Sequence, residues 1–208
     1  MKRIAVFCSG SGSNLQSILD ACDQGHVKGE VVAVFANRSR AYALERARER
    51  GIQARFLSKK KAGSDEAYDE IVLENLNSVK PDLVVMAGAL IILGPKTLKA
   101  YEGKIINIHP ALLPAFGGMG MYGIHVHEAV VASGVRVSGA TVHFVNGEVD
   151  GGPIILQGVV PVRQEDTPEA LQERVLNMEH RILPEAVRLF CEDRISIQGK
   201  KVMIRDDA

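Results

Sequence analysis

The 208-residue sequence has no excess of either charge: 25 basic and 25 acidic residues bring its formal net charge to zero. That balance supplies no long-range attraction for nucleic acid or for an anionic membrane, so an anionic ligand has to be held by a local pocket. Cysteine is scarce. Cys8, Cys22 and Cys191 are odd in number, widely spaced and without a CxxC pair, which argues against a disulfide framework and a zinc ribbon and fits a reducing cytoplasm. Long apolar runs are missing too. The N-terminal "RIAVFC" is too short for the apolar core of a secretory signal, and no other run approaches the length of a membrane span. No internal repeat, low-complexity tract or linker is visible, and the length suits one domain over 1–208.

Missing motifs narrow the chemistry in the same way. No Gly-Lys-Ser/Thr follows the first glycine-rich turn, so it is not a P-loop. The third glycine of a dinucleotide fingerprint would fall at Leu15, and the second apolar run ends in Asn37 where an acidic ribose ligand is expected. No GxSxG elbow offers a serine nucleophile, and no HExxH pair marks a zinc enzyme. A metal site built from His109, His125, His127 and Asp150 is the rival reading, because HxH pairs do bind metals; without a cysteine cluster or HExxH the sequence favours no metal.

What is present is an alternation. Short β-rich runs occur at Arg3 to Cys8, Val31 to Ala36, Asp82 to Gly88 and Lys104 to His109, and helix-spaced apolar residues lie between them, such as Leu15, Ile18, Leu19 and Cys22. Alternating strands and helices predict a Rossmann-like open α/β fold, a mostly parallel sheet with helices on both faces. Residues up to about 110 would form its phosphate-binding half. Beyond Pro114 a Gly/Met-rich loop leads to a helix from about His125 to Ser133. "GATVHFV" and "GGPIILQGVVPV" read as an antiparallel extension, Pro168 and Glu169 open a further helix, and "ISIQGKKVMI" reads as a hairpin turning at Gly199. Lys59 to Lys61 read as a solvated loop.

Two places carry chemistry. "CSGSGSN" joins the first strand to the first helix, where backbone N–H groups and the positive helix end make an anion site; Gly10 and Gly12 allow close approach, and Ser13 and Asn14 add donors and a cap. One phosphate suits this turn better than a dinucleotide. In "IINIHP", side chains alternate, so Asn107 and His109 share a face, and Pro110 puts them at a strand's carboxyl end, where open α/β sheets bind ligands. An amide donor beside an imidazole suits addition to a carbonyl, with the attacking group supplied by the substrate. Asp150 in "VDGGP" is either a turn residue or the partner that fixes the imidazole and raises its pKa, or both. His143 reads as a strand histidine near the same pocket, and His180 as a possible neighbour of it.

The chain resembles the phosphoribosylglycinamide formyltransferases, nearly end to end, through "SGSGSNLQSILDAC", "VFANR", "LERARERGI", "PDLVVMAGALIILGP", "INIHPALLPAF", "TVHFV", "DGGPIILQ" and "RVLNMEHRILPEAV". Methionyl-tRNA formyltransferase and formyltetrahydrofolate deformylase share versions of "NIHPxLLP" and "DxGxI", but the glycine loop and the single domain point to the glycinamide enzymes. The resemblance implies formyl transfer from 10-formyltetrahydrofolate, a co-substrate, to the amine of glycinamide ribonucleotide in purine synthesis, by a metal-free cytoplasmic monomer or homodimer. It implies that Gly12, Ser13 and Asn14 hold the substrate phosphate, that Glu179 contacts the nucleotide, and that Leu90, Ile91, Ile92 and Leu93, with Asn107, receive the folate. Asn107, His109 and Asp150 would be catalytic, with His109 held charged. A deformylase and a catalytically silent phosphometabolite-binding domain are the alternatives. Two positions depart from the family pattern: Ile91 replaces an arginine, and Asp65 stands where some relatives place an arginine near the folate.

Overall fold

Strand β1 (Lys2–Cys8) has no exposed side-chain surface from Ile4 to Cys8, the signature of a central strand covered on both faces. It leads through helix α1 (Ser13–Asp23) to β2 (Gly29–Ala36), then α2 (Tyr42–Glu49), β3 (Gln53–Phe56), the single-turn α3 (Lys59–Ala62), α4 (Asp65–Val79), β4 (Leu83–Met86), α5 (Pro95–Ala100) and β5 (Ile105–His109). The chain continues through α6 (Ile124–Ser133), β6 (Val137–Phe144), β7 (Ile154–Pro161), α7 (Pro168–Cys191), β8 (Ile195–Gln198) and β9 (Lys201–Ile204). The structure is a computed structural model and describes residues 1–206.

Seven strands form one sheet in the order β3-β2-β1-β4-β5-β6-β7. The first five are parallel, and β6 and β7 add antiparallel strands on the β5 side. Strands β8 and β9 make a separate hairpin that turns at Gly199. The strand order reverses between β1 and β4, and a crevice opens at the carboxyl ends of strands where such a reversal occurs.

Period-two alternation sorts the core into two layers. Ile4, Val6, Val34, Val85 and Ile106 face α1, α2, α6 and α7, where they meet Leu15, Leu44, Val130 and Leu183. Ala5, Phe7, Phe35, Val84 and Ile105 face α4, against Tyr68, Val72 and Leu76, with Phe7 and Phe35 tilted at a ring separation of 5.1 Å. The helix after Thr167 is α7, and the Thr167 hydroxyl accepts from Ala170 N–H at 3.2 Å.

One strand goes beyond the sequence reading, and two local readings need correction. β3 carries only half-buried and exposed residues, so its "QARF" lacks the apolar alternation that marks a strand; it forms because β2 offers it an open edge. Lys59 to Lys61 form the single turn α3, capped by the Ser58 side chain. The first residue of the α1 N-terminus is also different: Gly12 itself is the cap residue, at φ 73°, and no side chain caps the helix. A β-carbon at Gly12 would stand 2.8 Å from Ala43 Cβ, so the turn requires glycine twice over.

Candidate active site

The reversal crevice is a cleft of about 990 Å³ that reaches from the glycine turn to the end of β5 and the loop before β7. On one wall, the carbonyls of Gly10 and Ser11 are taken by Ala43 N–H and by Arg46 Nε at 3.2 and 2.9 Å. The first-turn N–H groups of α1 have no place in the helix's own ladder and remain as donors for a ligand. Asn14 does not add its side chain to that cradle, as the sequence had suggested. Its Nδ2 donates to Glu179 Oε2 at 2.6 Å, and its Oδ1 is buried without a hydrogen-bond partner. Burial pushes the Glu179 carboxyl up to about 7, against the opposing pull of Asn14.

The other wall is a cluster of cross-bonded polar groups. Asn107 and His143 are direct partners across β5 and β6, and Asn107 Nδ2 lies 3.1 Å from His143 Nε2. His143 Nδ1 is 2.9 Å from the Phe144 carbonyl, which only accepts; the proton therefore sits on Nδ1, and Nε2 accepts from the amide. One Asn107 N–H is thereby anchored and the second is left for the cleft, which Asn107 lines.

His109 Nε2 is 2.8 Å from the Phe116 carbonyl, so by the same logic its proton is on Nε2. Its Nδ1 faces Asp150 Oδ2 at 3.5 Å, within ion-pair range but longer than a good hydrogen bond. The His109 pKa is lowered: burial is the largest influence, Asp150 and the Phe116 carbonyl act to raise it, and His143 lowers it further. The expectation of an imidazole held charged by Asp150 is thus corrected, because the carboxylate acts in that direction but desolvation wins.

Asp150 sits in the turn before β7 at φ 56°, a rare conformation for a residue with a side chain. Its Oδ2 accepts Gly118 N–H at 2.9 Å, and its Oδ1 is 3.7 Å from His143 Nε2. Burial acts to raise its pKa, but the influences that lower it, the Gly118 N–H among them, win and bring it below the ordinary carboxylate value. The turn reading holds; Asp150 also lies beside His109, but the Phe116 carbonyl rather than a hydrogen bond to Asp150 sets the imidazole's tautomer.

Leu90, Ile91, Ile92 and Leu93 line the same cleft, Leu90 and Ile92 exposed and Leu93 buried. Several other predicted residues are elsewhere. His125 lies exposed on α6 beside Glu128 at 3.0 Å and does not line the cleft, so the four-ligand metal set is not assembled. His180 does not line it either. Asp65 and Lys59 pair with each other at 2.8 Å on the surface, and neither reaches the cleft. Ile91 is half-buried against the α4 layer.

Sequence reasoning missed other lining residues. Arg38 follows β2 and brings a cation to the cleft, and Glu169 and Glu173 of α7 border it. His127 also lines it; its Nδ1 is buried without a partner, and burial, aided by His109, pushes its pKa down to about 4. The HxH spacing drew attention to His127, but only packing separates it from His125. The Gly/Met-rich loop 117–124 forms the rim and contributes the Gly118 N–H to Asp150.

An open α/β sheet whose switch-point cleft holds a helix-end cradle on one side and an amide, an imidazole and a carboxylate on the other has the layout of an acyl-group transferase. The formyl transferase family model matches residues 2–187, and the chain belongs to that family. It is 42% identical over 194 residues to the phosphoribosylglycinamide formyltransferase of Escherichia coli, covering 93% of this chain and 89% of the relative. To the chloroplastic phosphoribosylglycinamide formyltransferase of Arabidopsis thaliana it is 45% identical over 195 residues, 93% of this chain and 67% of that one. The crystal structure of glycinamide ribonucleotide transformylase 1 from Symbiobacterium toebii superimposes with a TM-score of 0.94 at 46% identity, covering 99% of this chain and 95% of that one.

Proposed function

We propose that this formyltransferase passes the formyl group of 10-formyltetrahydrofolate to the terminal amine of phosphoribosylglycinamide, yielding the N-formyl nucleotide and tetrahydrofolate for purine synthesis. Residues 1–208 act as one unit, with the portion up to about 110 holding the phosphate. The observation that carries the reading is the meeting of His109 Nδ1 and Asp150 at 3.5 Å beside Asn107, in the cleft that also contains the glycine cradle.

In this reading the nucleotide phosphate takes the N–H groups at Gly12, Ser13 and Asn14, and Glu179 receives a polar group of the nucleotide. The folate ring lies along Leu90 to Leu93. The substrate amine attacks the formyl carbon, and the carbonyl oxygen gains negative charge. The free Asn107 N–H stabilises that oxyanion, its direction fixed by His143. Neutral His109 takes the amine's proton on Nδ1, since Nε2 is committed to Phe116, and Asp150 stabilises the resulting imidazolium. The carbon–N10 bond then breaks, and the proton passes to N10. Nitrogen, carbon and proton balance without a covalent enzyme intermediate or a metal.

The test is to follow loss of 10-formyltetrahydrofolate by absorbance with and without phosphoribosylglycinamide. Nucleotide-dependent loss with formation of formylated nucleotide is expected. Equal loss without nucleotide would assign a hydrolase, and no loss in either mixture would leave a binding domain.

A further inference from the structure

Two side chains unused by this chemistry hold the loop that follows β4. The β1–β4 ladder ends at Phe7 and Met86, then runs on through Ala87 N–H to the Phe7 carbonyl at 2.8 Å and Ser9 N–H to the Gly88 carbonyl at 3.2 Å. At Gly88, φ is +68° and the chain turns out of the sheet. The next backbone groups would lose their strand partner. Instead, Leu90 N–H donates to Ser9 Oγ at 2.6 Å, and the Leu90 carbonyl accepts from Asn37 Nδ2 at 3.0 Å. Ser9, 2% exposed, closes the ring through its Oγ, which donates to Asn37 Oδ1 at 2.7 Å.

Every role in this ring is fixed by chemistry. An N–H must donate, so Ser9 Oγ accepts from Leu90 and has one proton, which goes to Asn37 Oδ1. That makes the other Asn37 atom the amide nitrogen, the only kind that can serve a carbonyl. An aspartate would set an oxygen against an oxygen. The second-strand position that carries a ribose-binding carboxylate in dinucleotide folds is therefore an amide committed to the chain's own loop.

We propose that Ser9 and Asn37 are positioning residues that hold residues 88–93 as a preformed seat for the formyl donor. The inference rests on the assignment of that loop to the donor. With the Leu90 backbone clamped at one end and Leu93 buried at the other, 43%-exposed Leu90 and 69%-exposed Ile92 are presented to the cleft before ligand arrives. Gly94 then packs on Asp69, whose carboxylate receives Lys96 and Thr97 N–H at 2.8 and 3.1 Å, so the loop's exit is fixed as well. A loop ordered in advance loses less entropy on binding.

The experiment compares Ser9→Ala, Asn37→Asp and the hydroxyl-retaining Ser9→Thr by amide hydrogen exchange and by steady-state kinetics with both substrates. In Ser9→Ala and Asn37→Asp, Leu90 exchange and the donor KM each rise about tenfold, while the nucleotide KM changes less than about threefold. Ser9→Thr restores both readouts. Unchanged Leu90 exchange and donor KM would overturn the proposal, as would an equal rise in both KM values, which a merely structural loss produces. If the wild-type chain transfers no formyl group, the proposed function falls; the clamp is then decided by Leu90 exchange and by titration with tetrahydrofolate, whose binding must weaken in the same two variants.

Discussion

The two walls of the cleft are built on opposite terms. At the glycine turn, α2 takes the outward carbonyls and leaves the N–H groups of the α1 terminus for a ligand. At the end of β5, the polar side chains bind one another: Asn107 to His143, His143 to Phe144, His109 to Phe116, Asp150 to Gly118. A wall that only holds a substrate can keep unused donors facing water. In the proposed reading the second wall moves protons, and such a wall must fix each tautomer before the substrate arrives, because a ring turned the wrong way presents the wrong nitrogen.

Changes on the second wall should therefore strike turnover, and changes on the first should strike binding or stability. The largest effect is expected from His109→Ala. Removing the proposed proton acceptor should lower kcat about a hundredfold to ten-thousandfold with the nucleotide KM little moved, measured with both substrates saturating. Near-normal turnover in folded protein would remove His109 from the chemistry.

Next comes Glu179→Gln on the first wall. The folded carboxyl titrates at about 7, above its ordinary value of 4.5. Between these pH values the folded chain binds more protons than the unfolded one, so stability falls as pH rises from 4.5 to 7 and the deficit is complete above 7. The neutral glutamine lacks that falling limb, and should gain about 2.5 kcal/mol on wild type between pH 5 and pH 8. Urea denaturation at the two pH values checks this; parallel losses in the two proteins would contradict it.

Gly12→Ala tests the cradle directly. The β-carbon meets Ala43 at 2.8 Å and φ is +73°, so the variant should lose about 1–2 kcal/mol and raise the nucleotide KM rather than lower kcat. A selective fall in kcat would blur the division between walls. Smallest of all, Asp65→Ala breaks the exposed pair with Lys59 and removes one of two carboxylates from the first turn of α4. Its stability should change by less than about 0.5 kcal/mol in denaturant titration, and its donor KM should hold.

Much of this arrangement is legible along the chain. The central strands announce themselves because they are buried on both faces and so must be continuously apolar; Pro110 marks where β5 ends, and Thr167 with Pro168 marks where α7 begins. Edge strand β3 was invisible because an edge needs only an open neighbour, and its "QARF" carries no burial pattern. Asn107 and His109 could be paired from alternation alone, since two residues on one strand share a face whatever the rest of the fold does.

The sequence by itself determined the layered α/β architecture, the glycine turn and the local pairing at β5, because these depend on periodicity and on neighbours a few residues apart. Tertiary structure alone decided that Asp150 faces His109, that Asn14 bonds Glu179 across 165 positions, that His127 lines the cleft while His125 faces solvent, and that burial lowers the His109 pKa despite the carboxylate. Those outcomes depend on which loops meet above the sheet and on how far water is excluded there. Neither quantity is carried by the order of residues within any one segment.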